Sequence, residues 1–146
     1  MAFSESTEMS KLLALDLGDQ WVGVAITDAS QTFVRPLTTA TATDLVAFLE
    51  KTLKTEQIQT VVVGYPKTMG GRESDQTLKI LAQKEALEIK FPTLQFVLWD
   101  ERLSSQRASM IGSRKTKEDK LKSHALAAAF ILDSYVTFLK NSSTEL

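Results

Sequence analysis

LLALDLGDQWVGVAITD, residues 12–28, holds two short apolar runs, Leu12–Leu17 and Trp21–Thr27, separated only by Gly18, Asp19 and Gln20. Two such runs across three turn residues predict a β-hairpin. The first run carries one charge, Asp16. A carboxylate in an apolar strand costs several kcal/mol unless a cation, hydrogen-bond donors or a metal meets it. Asp16 is therefore either a functional ligand or an acceptor for backbone N–H groups in the Gly18 turn.

Outward from the hairpin, a third extended piece is expected around Thr32–Leu37. The polar Thr38–Thr43 stretch reads as the start of a helix with Leu45, Phe48, Leu49 and Leu53 on one face. Thr60–Val63 is β-branched throughout and runs into Gly64-Tyr65-Pro66, a buried strand ending in a turn. From about Arg72 to Phe91, Leu78, Ile80, Leu81, Leu87 and Phe91 form a broad apolar side of a long helix that Pro92 stops. Leu94–Trp99 predicts a last strand, and Leu103–Met110 a helix with Ser104 or Ser105 at its N-cap. Leu121, Ala125, Ala128, Leu132, Tyr135 and Leu139, spaced by 4, 3, 4, 3 and 4, form the clearest helical stripe. The order β-β-β-α-β-α-β-α-α predicts an α/β fold: a mixed sheet of three antiparallel strands followed by parallel ones, with helices on both faces. Polar groups with a function belong at the carboxyl ends of such strands.

The 146 residues, 43% hydrophobic and 24% charged, suit one globular domain, expected over residues 11–140 with tails at 1–10 and 141–146. With no cysteine, disulfides, thiolate metal sites and cysteine nucleophiles are excluded. The longest apolar run, Ala125–Leu132, is eight residues, far short of the roughly 20 that span a bilayer. No membrane association is expected, and the opening MAFSESTEMS lacks a signal-peptide pattern, so a cytoplasmic location is expected. Net charge is only −1, but it is polarised: residues 1–31 hold five acids against one base, and residues 102–122 seven bases against two acids. That basic stretch is either a solvated loop and helix start or a track for phosphates.

Asp100 and Glu101 follow the last predicted strand. Adjacent acids on an extended segment point to opposite faces, so at most one can join Asp16 directly. His124, the single histidine, lies at the edge of the final helical stripe, where a structural role is as compatible as a ligand role. Asp28, near the end of the second strand, is open as a contributor. Gly64-Tyr65-Pro66 and Met69-Gly70-Gly71-Arg72 match neither a P-loop nor a dinucleotide fingerprint, and no hydrolase triad can be assembled around one histidine.

LLALDLGDQWVGVAITD, then RPLTT at Arg35–Thr39, VVVGYPKTMGGRES at Val61–Ser74, LWDERLSS at Leu98–Ser105 and SHALAAAFILDSY at Ser123–Tyr135, five segments in order over residues 12–137, resemble the YqgF (RuvX) family. The resemblance implies a ribonuclease H-like fold similar to RuvC-type Holliday-junction resolvases. It implies a hydrolase cutting phosphodiester bonds, either in 5′-end maturation of 16S rRNA precursor or in resolving branched DNA. It carries a metal-binding acid onto Asp16 and a second onto Glu101 or Asp100. Where the family usually opens its last helix with Asp, this chain has His124.

Under that resemblance Asp16, Glu101 and His124 are expected to bind a divalent metal. Imidazole suits Mn²⁺ better than the oxygen-seeking Mg²⁺, so Mn²⁺ is the preferred of the two. Arg102, Arg107, Arg114, Lys115 and Lys117 would hold phosphates of structured RNA or branched DNA, positioning the strand without reading its sequence. The protein would work as a homodimer or a monomer. Two other readings follow from the same residues: a catalytically impaired nucleic-acid or ribosome-assembly binding module, and an ATP-binding domain of the sugar-kinase and actin type. The last needs two related domains, where 146 residues supply one.

Overall fold

The computed structural model describes residues 10–65, 75–100 and 117–144. Five strands, β1 (Lys11–Asp16), β2 (Trp21–Thr27), β3 (Val34–Thr41), β4 (Ile58–Tyr65) and β5 (Gln95–Asp100), form one sheet in the order β3-β2-β1-β4-β5. The first three pair antiparallel, and β1, β4 and β5 pair in parallel. Three helices complete the described chain: α1 (Leu45–Thr55), α2 (Asp75–Lys90) and α3 (Lys117–Thr144). The predicted mixed α/β sheet is thus observed. The predicted helix at Leu103–Met110 lies outside the described residues.

Period-two alternation along the strands divides the core into two layers. Leu13, Leu15 and Leu17 of the hairpin, with Val22, Val24, Ile26, Val61 and Val63, pack under α1 and α2 against Leu45, Leu49, Ile80 and Leu87. On the other face Leu12, Ala14, Ala25 and Val62 pack under α3 against Ala128, Ala129, Ile131, Leu132 and Val136. The second layer has alanines on both sides, Ala14 and Ala25 from the sheet and Ala128 and Ala129 from the helix. That lets α3 sit close to the sheet.

Two elements depart from the sequence expectation. Thr38–Thr41 does not begin a helix; it finishes β3, with Thr38, Thr39, Ala40 and Thr41 opposite Val24, Gly23, Val22 and Trp21. β-Branched threonines fit a pleated edge better than a helical turn, and α1 starts only after Asp44, whose N–H donates to Thr41 Oγ1 at 3.1 Å. In α2, Leu78 is 50% exposed while Thr77 is fully buried. Thr77 and Ile80, three apart, take the inward face with Leu87, and Leu78 falls a position off that stripe.

Candidate active site at the carboxyl end of β1

Asp16 is the last residue of β1 and shares the alternation of Leu12 and Ala14, so it leaves the sheet on the α3 face. The residues beside it are small. Asp16 lies opposite Gly23 of β2, and Gly23 in turn lies opposite Thr39 of β3. On the other side Leu15 pairs with Val63, the residue before Gly64, and Gly64 pairs with Trp99 of β5. A lateral row therefore runs across the carboxyl end of β1: Thr39, Gly23, Asp16, Gly64, Trp99. It is a floor with one acid at its centre and glycine on each side.

α3 closes over that floor at one point. A β-carbon on Gly23 would lie 1.9 Å from the His124 carbonyl oxygen and 3.0 Å from the Ala125 nitrogen, so only glycine lets helix backbone rest on strand backbone there. Asp16 and His124 are consequently neighbours of the same glycine, one through strand pairing and one through helix packing. Ser123 is buried and His124 half-buried. The helix is held at its far end by the indole Nε1 of Trp99, which donates to Ser134 Oγ at 3.1 Å, and by an edge-on contact between the Trp99 and Tyr135 rings at 5.2 Å.

The turn after Asp16 is fixed as well. Gly18 leaves no room for a β-carbon, which would meet the Trp21 carbonyl oxygen at 2.6 Å, and its own carbonyl accepts from Gln83 Nε2 of α2 at 3.1 Å. Asp100 ends β5 with the parity of Phe96, which packs in the α1/α2 layer, whereas Trp99 packs in the α3 layer. Asp100 therefore leaves the sheet on the face away from Asp16. Glu101, Arg102, Arg107, Arg114 and Lys115 lie outside the described residues, and Lys117 is described only as the first residue of α3. Among the described residues no group of three or more His, Cys, Asp or Glu could hold a metal ion. Asp16 and His124 give one carboxylate and one imidazole, a donor pair compatible with a divalent cation once a further acid joins them.

Asp28 is removed from this place. It follows β2 at the end where the Leu12 N–H donates to Thr27 Oγ1, five residues beyond Gly23, the partner of Asp16, and so about 16 Å along the strand at roughly 3.3 Å per residue. Its carboxylate accepts from the Ser30 hydroxyl and from the Thr32 and Phe33 N–H groups, both at 2.9 Å. These donors, the Ser30 hydroxyl foremost, hold its pKa down at about 2. Asp28 orders the β2–β3 turn. The residue that sequence reasoning passed over is Gly23, although a glycine inside WVGVAIT is itself a signal of close backbone approach.

Sheet order 3-2-1-4-5, mixed pairing and helices on both faces define a ribonuclease H-like protein, and the whole arrangement is similar to T. thermophilus RuvC, solved with a Holliday junction substrate: TM-score 0.56 at 14% identity, covering 88% of this chain and 96% of that one. A family model described as "RuvX: Holliday junction resolvase" matches residues 10–137. The chain belongs to that family. A protein of Rubrobacter xylanophilus is 33% identical over 129 residues, covering 86% of this chain and 91% of its own. One from Caldanaerobacter subterraneus subsp. tengcongensis is 36% identical over 146 residues, covering 90% and 99%. Both are named "Putative pre-16S rRNA nuclease". No helix among the described residues is long and apolar enough to cross a membrane.

Proposed function

We propose that the protein is a metal-dependent endonuclease that hydrolyses phosphodiester bonds in structured RNA, in 5′-end maturation of the 16S rRNA precursor. The observation that carries this reading is the placement of Asp16 beside Gly23 in the sheet and of the His124 backbone over that same glycine, at the carboxyl end of a central strand, in a chain whose relatives are named "Putative pre-16S rRNA nuclease". Asp16, Glu101 and His124 hold the cation, Mn²⁺ or Mg²⁺. Glu101 is preferred over Asp100 because Asp100 leaves β5 on the face away from Asp16. A divalent cation held by these residues would supply Lewis-acid activation of a water and charge stabilisation for the oxygen released from phosphorus. Glu101 orients the attacking water, and His124 contributes a neutral nitrogen. Arg102, Arg107, Arg114, Lys115 and Lys117 grip the flanking phosphates.

Branched DNA is a second substrate reading, favoured by the description of the family model. The test for both is cleavage of end-labelled structured RNA and of a four-way DNA junction by wild type and Asp16→Asn, in Mg²⁺ and in Mn²⁺. Cutting by wild type, reduced on the order of 10²–10³-fold in Asp16→Asn with the fold intact, is the expected result. Binding without cutting in either ion would replace the nuclease reading with that of a binding module.

A further inference from the structure

We propose that the groove between β3 and the beginning of α3 seats an unpaired nucleotide of the RNA strand next to the cleaved phosphate. This rests on the nuclease reading above and adds a subsite to it. The groove has a volume of about 490 Å³ and is lined by Pro36–Thr39 on the strand and by Lys122, Ala125 and Leu126 on the helix. That volume falls within the roughly 300–1,000 Å³ of ligand clefts. β3 is an edge of the sheet, so one side of the groove opens to solvent.

Its place in the fold gives it a direction. Thr39 lies opposite Gly23, and Gly23 opposite Asp16, so the groove begins two strand spacings, about 10 Å, from Asp16. His124 lies between Lys122 and Ala125 in sequence, so the helix wall that would supply a metal ligand continues directly into the groove. The chemistry of the lining matches one nucleotide. Pro36 and Leu126 offer apolar surface to the face of a base, and the exposed Lys122 brings a cation for the phosphate attached to it. A base can present its face only when it is out of a duplex stack. The occupant is therefore an unpaired nucleotide, held by shape and charge without sequence readout.

The test uses the full chain carrying Asp16→Asn, to prevent cutting, and an RNA 12-mer with one 4-thiouridine, offered single-stranded and as a duplex. Photo-crosslinks are mapped by mass spectrometry. The single strand is expected to crosslink to residues 35–41 or 122–127 and the duplex is not. Lys122→Glu should weaken single-strand binding about 3- to 10-fold and lower the salt slope by about 1. Tight RNA binding with crosslinks only elsewhere, or equal crosslinking by the duplex, would overturn the groove assignment and leave the nuclease reading standing. No RNA binding at all would overturn both.

Discussion

Gly23 and His124 touch through backbone alone: the His124 carbonyl oxygen occupies the space that any side chain at residue 23 would need. The same Gly23 pairs with Asp16. One missing side chain thus sets the separation between the strand that carries the acid and the helix that carries the histidine. Replacing it strikes packing and site together.

Gly23→Ala is expected to lower stability by about 3 kcal/mol, the upper end for overpacking, since backbone and not a flexible side chain must yield. The thermal midpoint should fall by about 5–10 °C, and cleavage at a temperature where the variant is folded should fall too. An unchanged midpoint in a thermal melt would show that α3 shifts without cost.

His124→Asp places a carboxylate about two turns into α3. An all-oxygen donor set favours Mg²⁺, whereas imidazole favours Mn²⁺. The ratio of cleavage rates in Mg²⁺ and Mn²⁺ should therefore rise in this variant. A ratio equal to that of wild type would remove His124 from the ligand set.

Arg114→Ala combined with Lys115→Ala should weaken nucleic-acid binding at all sequences alike. The slope of log affinity against log salt should flatten by about 1.4 for a single strand, at about 0.7 per phosphate contact. An unchanged slope would leave the basic stretch as a solvated segment.

Asp28 supplies a pH signature remote from the site. Its folded pKa of about 2 lies below the ordinary 3.8, so ionised Asp28 favours the folded state. That contribution is complete above about pH 4 and is lost as pH falls towards 2. Asp28→Asn should be less stable than wild type at pH 6, with the gap closing between pH 4 and pH 2. Urea titrations of both proteins at pH 6 and pH 2.5 check it; a gap independent of pH would mean that ionisation of Asp28 contributes nothing to stability.

The hairpin, the buried β4 and the α3 stripe were legible because their apolar spacing matches the period of the structure they form. Leu13 and Leu15 alternate with Leu12 and Ala14, and the two sets fill opposite layers. The end of β3 was not legible. Thr38–Thr43 is polar enough for a helix start, and only pairing with Trp21–Val24, a long-range contact, keeps it extended. Within the site, Asp16 stood out as a charge in an apolar run, and its meeting with His124 could not be read from either segment. That meeting depends on how near α3 comes to the sheet, which the small side chains of Ala25, Ala128 and Ala129 permit.

The seam of small residues under α3 also limits how this chain can change over evolutionary time. Ala128, deep in the core, stands about one turn beyond His124. A single inserted residue between them would swing His124 by about 100° relative to the buried stripe and carry it away from Gly23. Insertions ahead of Lys122 leave that phase intact. The four-residue interval from His124 to Ala128 therefore behaves as a fixed gauge on which core and chemistry must drift together or not at all.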